Sequence, residues 1–136
     1  MVANTGGGDI EIGPVAGSVR AGTGAGAVRV SLADAGGREQ SVEITSGTGK
    51  VVIELPDRFD GRFDLETAYT ESFGRATRIE SAWTLDREST TGWDDSEGTP
   101  RRYVRAHGVV GTGRGRIEVR TVNGDIEVRR APKELR

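Results

Sequence analysis

Few residues in this chain are equipped for chemistry. His107 is the single histidine and there are no cysteines. A Ser-His-Asp arrangement would have to use His107, yet Arg105-Ala-His-Gly108 carries no nucleophile signature. One histidine without thiolates leaves zinc short of ligands. The densest oxygen cluster is Asp94, Asp95 and Glu97 in a polar stretch. Two carboxyls about 5–10 Å apart suffice for glycoside cleavage, and an isolated calcium site needs six or more oxygens. The plainer reading of such a cluster is a solvated surface. Trp93 and Tyr103 flank the cluster, and aromatic rings beside polar groups make recognition surfaces; alternatively, both rings fold back as a cap. The sequence therefore nominates Trp93, Asp94, Asp95 and Tyr103 as binding residues. It nominates no catalytic residue, no metal ligand and no cofactor. Ser46-Gly-Thr-Gly49 lies between strand patterns, so it reads as a turn rather than a phosphate loop opening a helix.

These residues must be positioned by strands. Gly115-Arg-Ile-Glu-Val-Arg120 is repeated nine residues on as Gly124-Asp-Ile-Glu-Val-Arg129. Alternation of period two marks a strand with one buried face, which turns Ile117, Val119, Ile126 and Val128 inward. Glu118, Arg120, Glu127 and Arg129 then face water. Thr121-Val-Asn-Gly-Asp125 is a tight corner, because Asn and Gly tolerate positive φ. The same phrase opens the chain at Gly8, Gly17 and Gly26, and Val42, Ile44, Val51, Ile53 and Leu55 keep the period. A nine-residue strand-plus-turn unit is half of an eighteen-residue coil, so residue i stacks on i+18. Ile10 then meets Val28, Ile12 meets Val30 and Glu11 meets Arg29. The reading is an all-β chain, a single parallel β-solenoid or β-roll spanning residues 1–136. Phe59, Phe63 and Leu65 join its core, and Trp83 is core or a cap. Residues 86–101 form a polar loop insertion or a β-hairpin extension. No window carries a helical apolar stripe. Coils contact only their neighbours, and both ends are open edges that need caps.

Composition limits the partners. The 136 residues carry a net charge of −2 with both signs interleaved, which removes the basic patch that nucleic acid requires. The 21 glycines take the place of large core residues and suit a narrow core with many corners. No apolar run approaches the ~20 residues of a membrane span. The opening Met1-Val-Ala-Asn-Thr-Gly lacks the form of a signal peptide, so the chain reads as cytosolic or as a piece of a longer exported protein.

Four segments, in order, resemble a bacterial adhesin-like family of Gly-rich β-solenoid domains of unknown function. They are Thr5-Gly-Gly-Gly-Asp-Ile10, Gly47-Thr-Gly-Lys-Val-Val-Ile-Glu-Leu-Pro56, Ile79-Glu-Ser-Ala-Trp-Thr-Leu85 and Arg120-Thr-Val-Asn-Gly-Asp-Ile126. The resemblance implies an extracytoplasmic setting and a binding or scaffolding role, with no catalytic residues to transfer. Three functions follow as expectations. The first is a non-catalytic envelope or surface module with a protein or glycan partner. The second is a scaffold stacking end to end as a homo-oligomer. The third is a carbohydrate-active enzyme using Asp94, Asp95 and Glu97.

Overall fold

A computed structural model describes residues 2–15, 17–33, 40–55, 60–70, 77–81, 83, 85–89, 92–93, 100–111 and 113–130. These residues are all-β, with no helix among them. The strands are β1 (Val2–Thr5), β2 (Ile10–Val15), β3 (Val19–Thr23), β4 (Val28–Leu32), β5 (Ser41–Ser46), β6 (Val51–Leu55), β7 (Gly61–Thr70), β8 (Ile79–Ser81), β9 (Asp86–Ser89), β10 (Arg101–Val110), β11 (Gly115–Val122) and β12 (Ile126–Arg130). They form a seven-stranded sheet, β1-β3-β5-β11-β7-β10-β9, and a five-stranded sheet, β2-β4-β6-β12-β8.

The inner faces of both sheets are small aliphatic columns. Val28, Val30, Val51, Ile53, Ile126 and Val128 come from one sheet, and Val42, Ile44, Leu65, Ile117 and Val119 from the other; all are buried. β-Branched side chains pack well on a pleated surface, and each contributes about 1.5–3 kcal/mol on full burial. Phe63 and Leu65 are core as expected, whereas Phe59 lies outside the described residues. Trp83 is partly buried against this core, its ring 5.8 Å from Phe63.

The i+18 register holds from Ile10 to Ile12 and then slips by one, so that Val15 pairs with Leu32. Ile10 pairs with Val28, Glu11 with Arg29 and Ile12 with Val30. The Arg29 guanidinium turns the other way, however, onto buried Glu54 at 3.1 Å. Glu54 also accepts from Ser31 Oγ, so this buried carboxylate, on the strand face opposite Ile53 and Leu55, has partners for its charge.

Short corners carry the chain from one sheet to the other, and glycine permits their stacking. A Cβ on Gly26 would collide with the carbonyl oxygen of Gly8, one on Gly49 with that of Gly26, and one on Gly124 with that of Gly49. Threonine and serine tie the same column. Thr23 Oγ1 donates to Gly8 O, Ser46 Oγ to Gly26 O, Thr121 Oγ1 to Gly49 O and Thr67 Oγ1 to Gly124 O. Asn123 adopts φ 52°, the one positive-φ non-glycine among the described residues, as its corner requires.

Two expectations are corrected. Strands do not stack in chain order: β11 sits between β5 and β7, and β12 between β6 and β8, both parallel to their neighbours. Nor is the pairing parallel throughout, since β10 runs antiparallel to β7 and to β9. Antiparallel neighbours can be joined by a short turn, whereas parallel ones need a crossover. Part of the segment expected as a loop is thus strand β9, in keeping with the hairpin alternative.

The β10–β11 connection passes over the start of β7, because Val110 and Gly115 both pair with Gly61. Asp60 fastens it, its Oδ1 accepting from Gly113 N at 2.7 Å and Arg114 N at 2.9 Å. Asp60→Ala removes the acceptor for both amides, and about 1–3 kcal/mol of stability is expected to go with it. The check is the urea midpoint at constant m, with Asp60→Asn losing less. A midpoint equal to wild type for Asp60→Ala would show that the carboxylate does not hold the crossover.

Candidate binding groove

The outer face of the seven-stranded sheet brings distant residues into rows. Pairing runs Thr45, Arg120, Glu66, Arg105, Glu88 across β5, β11, β7, β10 and β9. In the adjoining row Val122 pairs with Ala68 and Ala68 with Tyr103. Alternation along β10 turns Arg101, Tyr103 and Arg105 to this face. Together they line a groove of about 580 Å³ with Glu66, Ala68 and Arg120. Ala68 supplies its floor and is buried although it points outward.

Glu66 organises the charges. It accepts from Arg105 Nε at 2.8 Å and lies 3.9 Å from Arg120 Nε. That hydrogen bond holds the Arg105 guanidinium above its ordinary range. Arg120 also reaches Glu118 at 3.6 Å, and Arg116 meets the same carboxylate at 3.3 Å. The Arg105 guanidinium lies 4.9 Å from the Tyr103 ring centre, a cation–π contact that presets the ring. Among the described residues lining the groove there are three arginines against one carboxylate. The arrangement can bind an anionic group beside a flat ring.

His107 lies in a second hollow of about 640 Å³ on the same face, with Arg62, Asp64, Val109 and Arg116. Its Nε2 is 3.4 Å from Glu88 Oε1 and exposed. None of the described residues lining this hollow carries a hydroxyl or thiol, so a triad has no partner there. Among the described residues no group of three or more His, Asp or Glu could hold a metal.

Of the nominated residues only Trp93 and Tyr103 are described, and these two do not share a site. Tyr103 lines the groove. Trp93 packs edge-on against Tyr69 at 5.9 Å, with Arg102 4.3 Å from its ring centre. Tyr69 and Arg102 share the strand face of Leu65 and Ala106, which are core, so Trp93 and Tyr103 lie on opposite faces of the sheet. Asp94, Asp95 and Glu97 lie outside the described residues. Sequence reasoning missed Arg101 and Arg105, although the period-two run Arg101-x-Tyr103-x-Arg105 was there to read. Glu66 and Arg120 gave no signal, because only strand pairing across the sheet brings them in.

Comparison with protein-family models, with curated proteins and with solved structures finds no match. No helix among the described residues is long and apolar enough to cross a membrane.

Proposed function

We propose that the chain is a non-catalytic binding module that holds an acidic glycan in the Tyr103 groove. The observation that carries this reading is the ring of Tyr103 set among Arg101, Arg105 and Arg120 on the outer sheet face. A flat ring offers a sugar its apolar face, and guanidinium groups match carboxylates in a two-pronged geometry. The architecture proposed with it is a β-solenoid, each coil a strand of the larger sheet joined by a corner to one of the smaller. The i+18 register and the glycine column support it. An extracytoplasmic, adhesin-like role is part of the proposal, on the sequence resemblance given above.

The test is titration with a polyuronate such as alginate at low salt. Wild type is expected to bind, more weakly as ionic strength rises. Tyr103→Ala is expected to lose at least about tenfold in affinity, on the order of 1.4 kcal/mol, at an unchanged urea midpoint. Full affinity in that variant, or no binding by wild type at millimolar uronate, would retire the groove as a glycan site.

A further inference from the structure

The geometry points to a second binding site, at the edge formed by β1 and β2, which takes an extended strand–corner–strand segment of a partner chain carrying a Ser/Thr-Gly-x-Gly corner. Inside the molecule this corner has a fixed set of uses. Gly24 lies against the carbonyl of Gly6, and Gly47 against that of Gly24; Gly26 and Gly49 do the same one step along, against Gly8 and Gly26. Gly24 N donates to Thr5 O and Gly47 N to Thr23 O. The Thr23 hydroxyl shares its one proton between Ala25 O in its own corner and Gly8 O next door, each at 3.1 Å.

The outermost corner, Thr5-Gly-Gly-Gly-Asp9, carries the same parts facing outward. Gly6 and Gly8 have nothing within 4 Å of where a Cβ would sit. Gly8 keeps φ 127°, close to 139° at Gly26 and 144° at Gly49. Gly6 has no positive φ to require glycine, so neither conformation nor a neighbour among the described residues accounts for it. The Thr5 hydroxyl makes the within-corner bond, to Gly7 O at 3.2 Å. Its counterpart at Thr23 spans to the next corner as well. The edge is therefore a half-site whose missing half is another backbone of the same type.

Charge and edge chemistry select the occupant. Glu11 is exposed on β2, and Arg29, its partner in register, is bonded to Glu54. An arginine at the matching position of an added strand meets an acidic neighbour. The far edge of the larger sheet is β9, Asp86-Arg-Glu-Ser89, short, charged and exposed along its length. Such an edge is poorly suited to pairing, which favours another occupant over a copy stacked head to tail. β1 has no charged residue. Pro14 has no N–H to donate, which limits pairing on β2 to its first half.

The probe is a synthetic peptide of residues 17–33, which carries the Thr23-Gly24-Ala25-Gly26 corner and Arg29. Titrated into the 136-residue protein, it is expected to slow hydrogen exchange at the amides of β1 and of Ile10–Ile12, while a scrambled peptide does not. Gly6→Val places a branched side chain into open space, so the urea midpoint should hold while peptide affinity falls at least tenfold. Unprotected amides at millimolar peptide overturn the proposal, and so does equal binding by Gly6→Val. Edge protection that appears without peptide, grows with protein concentration and survives Gly6→Val also overturns it, in favour of a second copy pairing antiparallel.

Discussion

Gly124→Ala is expected to cost more than about 3 kcal/mol, or to prevent folding, although it adds one methyl group. Side-chain overpacking typically costs about 1–3 kcal/mol because neighbours shift rotamer. Here the obstructing atoms are the carbonyl group of Gly49 and the amide nitrogen of Lys50. Neither can move alone. Gly49 N donates to Val122 O, and Val51 N to Asp125 O, so the two corners are hydrogen-bonded to each other. Pushing them apart breaks those bonds and lifts Ile126 off Val51 in the core. Gly17→Ala is the matched control. Gly17 opens a repeat of the same form, but it has open space around the Cβ position and no positive φ. Its substitution should fall within about 0.5 kcal/mol of wild type, or stabilise slightly by restricting the unfolded chain. Urea midpoints of the two variants decide the matter. Equal midpoints would mean that the corners do not stack as described.

The second large effect is expected from removing the last two strands. A chain ending at Gly113 should lose its cooperative urea transition. Strand β11 bonds β5 on one side and β7 on the other, and β12 does the same for β6 and β8. Without them Val42, Ile44, Phe63 and Leu65 face a gap the width of one strand, with Ile117 and Val119 gone from the core. Single Ile→Ala cavities already cost about 2–5 kcal/mol, against a total of about 5–15 kcal/mol for a domain. A peptide of residues 115–130 added in trans is expected to restore the transition. A truncated chain that unfolds at the wild-type midpoint would show that β1–β6 and β7–β10 stand without the insert.

The inward and outward faces were legible because period two is a local property. Ile10 on Val28 and Ile12 on Val30 followed from glycine spacing alone, since one uninterrupted turn of chain separates them. The neighbours of β11 were not legible. Ile117 and Val119 alternate just as Val42 and Ile44 do, so the pattern says which way each side chain points and nothing about which strand lies alongside. What selects the central slot is specific. Asn123 Oδ1 accepts from Thr70 N at 2.9 Å, and Asp125 Oδ1 from Arg78 N at 2.9 Å, contacts across some fifty residues of sequence. The groove shares this limit. Tyr103 could be named as an exposed aromatic, but Glu66 and Arg120 enter only through pairing of β11 with β7. Trp93 was misgrouped with Tyr103 for a simpler reason. Nearness in sequence suggested one surface, whereas the strand face on which each ring rests decides where it goes.

The interleaved order of strands also sets when the fold can close. A chain emerging from a ribosome or a translocation channel, amino end first, presents everything up to Val110 before the piece that joins its two halves appears. At roughly 5–20 residues per second, the final stretch arrives a second or more behind. Until then β5 and β7 each lack the strand that lies between them in the finished sheet.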